Sequence, residues 1–245
     1  AKEISPYRYV GVNFNSQGNP NLKPSDNYNL DLKWDFNPTP TELISLTAFY
    51  KLIKNPISRI EVASAGGYLS YENIADKATV AGVEIEIRKN LFVRPVSNAA
   101  HGMNKLSLGL NGSYIYTNAK MPLATVTTGS QLEGAAPWIV NFDLSHNFTK
   151  GERSFVNTLV LNYVSDKIYT IGTQGYQDIM EQGVLTLDFV SQAKLNKHLS
   201  FNLKARNLLN SSYKLSRKAN ENGEKVILND YKKGINISLG VSCTF

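Results

Sequence analysis

Residues 28–36 read Tyr-Asn-Leu-Asp-Leu-Lys-Trp-Asp-Phe, with an apolar or aromatic side chain at every even position and a polar or charged one at every odd position. A period of two sends successive side chains to opposite faces of an extended chain, so this stretch predicts a β-strand with one oily and one wet face. A Pro-rich turn follows from Asn37 to Thr41, and the alternation resumes with Ile44, Leu46, Ala48, Tyr50 and Leu52 on the apolar face. Two such strands joined by a short turn predict an antiparallel hairpin. Matching the two apolar faces puts all the even-numbered residues of both strands on the same side. A slip of one residue would turn Trp34 and Leu46 inward and Asp35, Ser45 and Thr47 outward.

The pattern recurs along the chain. Ala81, Val83, Ile85 and Ile87 oppose Gly82, Glu84, Glu86 and Arg88, and Leu106, Leu108, Leu110, Tyr114 and Tyr116 oppose Ser107, Asn111 and Ser113. Trp138, Val140, Phe142, Leu144 and Phe148 form a fifth apolar face. Phe155, Leu159, Leu161 and Tyr163 form a sixth, interrupted by Asn157. Leu185, Leu187, Phe189, Ala193 and Leu195 are joined through the tight turn Asn196 to His198 to Leu199, Phe201, Leu203 and Ala205. A ninth segment holds Ile235, Ile237, Leu239, Val241, Cys243 and Phe245. No helical period intervenes, so the chain is all-β. Pairing Leu195 with Leu199 further predicts that Asp188 lies opposite Arg206 and forms a cross-strand ion pair.

The connections sort by length. Asn37 to Glu42, Thr149 to Ser154 and Asn196 to His198 are short, whereas Lys54 to Thr79, Asn118 to Pro137, Ser165 to Gly183 and Asn210 to Tyr231 are long. Short turns fall at one end of the sheet and long loops at the other, with Phe92 to Asn104 a longer exception at the short-turn end. Transmembrane barrels have this asymmetry, and they gather aromatics in girdles at both ends of the apolar band. Trp34, Phe36, Phe148, Phe155 and Phe245 fall at the short-turn end, and Tyr28, Tyr50, Tyr114, Tyr116, Trp138 and Tyr163 at the long-loop end; Phe189 and Phe201 sit mid-strand.

Composition narrows the function. Of 245 residues 42% are hydrophobic and 19% charged, which excludes a disordered chain. The most apolar run, Leu43 to Ile53, is too short and too interrupted for a spanning helix. Cys243 is the one cysteine, so no intrachain disulfide and no cysteine metal cluster forms. The net charge is +6, but Lys and Arg are scattered, without the stripe that nucleic acid requires. His101, His146 and His198 lack metal-ligand spacing, and there is no nucleophile elbow, phosphate loop or dinucleotide fingerprint. No catalytic residue, metal or cofactor is expected. By parity His146 faces outward near the short-turn girdle. The N-terminus, AKEISPYRYV, has no secretion-signal pattern, which fits either a cytoplasmic protein or a piece whose leader lies elsewhere.

Several stretches carry a resemblance. Gly18 to Trp34 (GNPNLKPSDNYNLDLKW), Leu43 to Pro56, Ala81 to Glu86, Leu132 to Pro137, Arg206-Asn207-Leu208-Leu209-Asn210 with Tyr213, and the terminal Phe245 resemble the C-terminal barrel region of TonB-dependent outer-membrane receptors. The departure is Ser25 after Lys23-Pro24, where that family usually has Glu. The resemblance implies a non-enzymatic gated porter of the bacterial outer membrane, a 22-stranded barrel with a plug, drawing on an inner-membrane TonB-type complex to admit an iron chelate, cobalamin or a glycan. Residues 1–245 would then be the last nine strands, with plug and earlier strands upstream and Phe245 the barrel assembly signal. Asp31, Lys33, Asp35, Glu84, Glu86, Arg88, Asp188, Lys194, Lys204 and Arg206 would form the lumen wall, paired across strands or with the plug. Ligand contact is expected in the first long loop, at Arg59, Glu61, Tyr68, Tyr71 and Glu72; Lys214, Arg217 and Lys218 are suited to lipopolysaccharide phosphates. Two rivals share parts of this pattern, a passive porin without a plug and a soluble β-sandwich or adhesin module whose apolar face is a core. An isolated nine-strand piece would leave two unpaired edges, and is expected to associate through them unless it belongs to a larger receptor.

Overall fold

The computed structural model describes residues 2–11, 14–62, 67–96, 102–121, 131–219 and 223–244, so that Phe245 and His101 lie outside the described residues. In chain order the strands are β1 (Arg8–Tyr9), β2 (Ser16–Gln17), β3 (Asp26–Phe36), β4 (Leu43–Lys54), β5 (Ile57–Val62), β6 (Tyr68–Asn73), β7 (Lys77–Pro95), β8 (Met103–Ala119) and β9 (Trp138–Lys150). They continue as β10 (Arg153–Val164), β11 (Lys167–Thr170), β12 (Ile179–Glu181), β13 (Val184–Lys194), β14 (Leu199–Arg206), β15 (Ser212–Lys218), β16 (Lys225–Lys232) and β17 (Asn236–Cys243). Nine of them form one antiparallel sheet in the order β17-β14-β13-β10-β9-β8-β7-β4-β3. These are the nine alternating segments of the sequence, paired with their neighbours; β3 and β17 are its edges among the described residues.

Matching of apolar faces sets the register. Tyr28 pairs with Leu52, Leu32 with Ala48 and Trp34 with Leu46, and Asp35 with Ser45 on the other side, so the even residues of β3 and β4 do share a face. The same face continues through Val83, Tyr114 and Trp138 and through Val140, Tyr163 and Leu185. It stays uncovered: Leu30 and Leu32 are 71% and 75% exposed, and Trp34 and Trp138 more than half exposed. The aromatics collect at its two ends as neighbouring pairs, Phe148 with Phe155 at one (centroids 6.4 Å apart) and Tyr114 with Trp138 at the other (4.6 Å).

The opposite face is polar but not uniformly so. Phe49 lies on it, above Gly82 of the neighbouring strand. A Cβ at Gly82 would collide with the Phe49 ring and with the Tyr114 carbonyl, so the absence of a side chain is what seats the ring. Gly109 does the same for the Asp143 carboxylate. The charges here pair along single strands, Lys33 with Asp35 at 3.2 Å and Arg88 with Glu86 at 2.7 Å, rather than across strands as the sequence suggested.

The expected Asp188–Arg206 pair does not form among the described residues, although its register is correct, Phe189 lying opposite Ala205. The strand ends at Arg206, and Asn207 enters the left-handed region (φ 55°), which points its N–H at Asp188 Oδ1 at 2.8 Å. The carboxylate is spent on closing that turn. At the short-turn end β7 and β8 stay paired past a bulge between Asn90 and Phe92, so residues 92–95 and 103–104 of the long connection predicted there are strand. Glu42 collects the Asn90 N–H (3.0 Å) and the Lys89 ammonium (3.1 Å), and these hold its carboxyl below the usual carboxylate range.

The long connections are not irregular loops. β1, β2, β6 and β5 form one small sheet and β11, β12, β15 and β16 another. A parallel bridge between Ile60 and Ile171 joins them. The buried apolar core lies here, in Ile60, Ile74, Leu132, Ile168 and Ile171, and meets the large sheet at its loop end, at Ala78 of β7 and Ala119 of β8.

Gly82 and Gly112 separate the two faces experimentally. Gly82→Ala should lower the urea-unfolding midpoint in detergent by an amount equivalent to about 1–3 kcal/mol, because ring and backbone must both shift. Gly112→Ala, on the outward face with nothing near its Cβ, should leave the midpoint unchanged or raise it.

Candidate functional site

The joined loop sheets are held by two half-buried ion pairs that link residues far apart in sequence. Arg59 on β5 donates its backbone N–H to Glu133 Oε2 and its Nη2 to Glu133 Oε1, both at 2.8 Å. Two residues on, Glu61 pairs with Arg217 of β15. Between these pairs the Ile171 N–H donates to the Arg59 carbonyl (3.0 Å) and the Glu61 N–H to the Ile171 carbonyl (3.1 Å), while Thr173 Oγ1 donates to the Glu61 carbonyl at 2.5 Å. One six-residue strand therefore fastens the other three long connections to its own. Charge-assisted bonds of this kind are about twice as strong as neutral ones.

Beside Arg59 is a cavity of about 240 Å³ lined by Arg59, Tyr71, Tyr169, Phe14, Tyr9 and Lys2. Arg59 lies over the Tyr169 ring at 4.3 Å, and Phe14 meets the same ring at 6.2 Å. Burial is the largest influence on the Arg59 pKa and works to lower it, but Glu133, Tyr169 and Tyr71 together raise it by more, so the guanidinium stays charged. Burial pushes the Tyr71 phenol up against the pull of Arg59, which keeps it a neutral hydroxyl able to donate. The wall thus offers ring faces, a fixed cation and phenolic donors. A volume below about 300 Å³ admits a ring or one arm of a larger molecule rather than a whole drug-sized ligand.

Of the five loop residues expected to meet ligand, the fold brings Arg59 and Tyr71 together, opposite each other on β5 and β6. Glu61 shares their face but is committed to Arg217. Tyr68 and Glu72 project to the other face, Tyr68 beneath the Arg8 guanidinium and Glu72 into solvent. Tyr169 and Phe14 were missed, each lying in a segment with too few residues to show a period; the β-branched run Ile168 to Ile171 was the available signal. Two of the three basic residues suited to lipopolysaccharide are engaged within the chain, Lys214 with Asp230 at 3.4 Å and Arg217 with Glu61.

A family model described as "TonB dependent receptor-like, beta-barrel" matches residues 3–208. The chain belongs to that family. No curated protein and no solved structure matches it. The TonB-dependent receptors are non-enzymatic transporters of the bacterial outer membrane, so the exposed apolar face of the sheet is its lipid face. The short turns are then periplasmic and the loop sheets extracellular, by the usual polarity of such barrels. The match ends before β15, but β17 continues the sheet in register on β14, Leu203 opposite Leu239. A soluble sandwich is excluded by the same finding.

Removing Glu133 should loosen the loop layer without touching the barrel. Loss of a charge-assisted bond of about 1.5–3 kcal/mol predicts that Glu133→Ala speeds hydrogen exchange at the Arg59 and Ile171 amides about ten- to a hundredfold. Amides of β9 and β10 should keep their wild-type rates.

Proposed function

We propose that the chain is the C-terminal part of a receptor barrel that captures a scarce ligand outside the cell, an iron chelate, cobalamin or a glycan, and imports it with energy from the TonB system. The plug and the earlier strands belong to this reading, as the two open edges of the nine-stranded sheet suggest. The observation that carries it is the extracellular cavity of Arg59, Tyr71 and Tyr169, held rigid by the Arg59–Glu133 pair. A stacking wall with a fixed cation suits flat or ring-bearing oxygen-rich molecules, which all three ligand classes present. Below it the inner face of the sheet supplies a polar path through Lys33, Glu84, Asn111 and Asn141.

A passive porin remains the rival within the same architecture, and it has no use for loops fastened to one another by half-buried ion pairs. Uptake of labelled ferric chelates, cobalamin and oligosaccharides by cells carrying the receptor, with and without a working TonB complex, distinguishes the two. Uptake should vanish without the complex. Tyr169→Ala should weaken binding of the imported ligand about tenfold, the weight of one desolvated ring–cation contact, with folded receptor at wild-type level. Uptake that persists without TonB would establish the porin.

A further inference from the structure

On the lipid face of β9, β10 and β13 there is a polar row where apolar residues are expected. His146, Asn157 and Ser191 are paired neighbours on β9, β10 and β13. Rows of apolar residues lie on both sides: Leu144, Leu159 and Phe189 toward the extracellular end, Phe148, Phe155 and Ala193 toward the periplasmic end. Asn104 of β8 stands next to Phe148 in the latter row, and Arg94 of β7 next to Asn104. Two residues of a tilted strand place the polar row about 5 Å inside the girdle of Phe148 and Phe155. That is the depth of acyl ester groups rather than of water. Polar side chains facing hydrocarbon are costly and are kept where they bind something.

Their hydrogen bonds define what they bind. Asn104 Oδ1 accepts from His146 Nε2 at 2.8 Å, and Asn157 Oδ1 accepts from Ser191 Oγ at 2.7 Å. Both amide oxygens are thereby used, and among the described residues neither amide NH₂ has a protein acceptor. What remains is a set of outward donors, Asn157 in the polar row and, in the girdle row on the periplasmic side of it, Asn104 beside the exposed Arg94 guanidinium, which lies 5.5 Å from the Phe92 ring. A donor at ester depth, Asn157, with a donor and a cation together in the girdle row, Asn104 and Arg94, complement the two ends of one headgroup: we propose that this patch binds a glycerophospholipid of the periplasmic leaflet. An ester carbonyl would meet Asn157, and the phosphate Arg94 with the neighbouring Asn104.

The receptor purified from outer membranes in a mild detergent can be titrated with dioleoylphosphatidylglycerol and, separately, with dioleoylglycerol, which has the esters but no phosphate, and read by native mass spectrometry. Wild type should retain one phosphatidylglycerol in preference to the diacylglycerol. Asn104→Leu with Asn157→Leu should reduce that retention at least tenfold, and Arg94→Gln should erase the preference between the two lipids. Arg94 lies at an exposed strand end, so its variant serves if the double variant does not fold. Equal lipid retention by wild type and Arg94→Gln, for both lipids, would overturn the proposal. Loss of an oligomeric mass instead of a lipid adduct would overturn it in favour of a contact with another protein.

Discussion

Within a bilayer no water is present to satisfy a stray backbone N–H or C=O, and every other feature of this protein depends on that constraint. It forces unbroken pairing across the membrane-spanning strands, and unbroken pairing turns a two-residue period into two continuous faces. β9 and β10 show the result, paired from Val164 with Ile139 to Arg153 with Lys150 without a shift. Where the ladder does slip, at Asn90 and Phe92, the break lies at the periplasmic margin and Glu42 takes the Asn90 N–H. At the other end of the sheet Asp188 plays the same part for Asn207 as β14 stops.

A sheet with lipid on one side and a lumen on the other has no interior of its own, and this explains where the buried core sits. Ile60, Ile74, Leu132, Ile168 and Ile171 come together in the extracellular layer, where loops must exclude water from one another to take a single shape. The two ion pairs at Arg59 and Glu61 specify which loops meet. Rigidity of that layer suits the adjacent cavity to the capture proposed for it, since a pre-ordered site loses less conformational freedom when occupied.

The barrel was legible because its signal is long. Segments such as Tyr28 to Phe36 repeat their period enough times to fix strand, face and register together. Even the turn at Asn196 to His198 gave the correct pairing of Phe189 with Ala205. The Asp188–Arg206 pair failed for a reason that register does not contain: a positive φ at Asn207 offered the carboxylate a nearer donor. The loop strands were illegible because they span only two to eight residues and their partners are distant in sequence, Arg59 with Glu133 and Glu61 with Arg217. Likewise Phe49 was invisible as an inward aromatic, since its support is the missing side chain of Gly82 on another strand. Arg59 and Tyr71 could be picked out by residue type, whereas Tyr169 and Phe14 reach the cavity only through the folding of other loops.

The central claim is that residues of even number in β3 and β4 face lipid and those of odd number face the lumen. Single cysteines placed at successive positions from Leu30 to Asp35 in a Cys243→Ser background, each carrying an environment-sensitive fluorophore and reconstituted into bilayers, test it directly. Quenching by a nitroxide on the lipid acyl chain should be strong at 30, 32 and 34 and weak at 31, 33 and 35, with the reverse order for a water-soluble quencher. Quenching that does not alternate, or alternates in the opposite phase, would contradict the account.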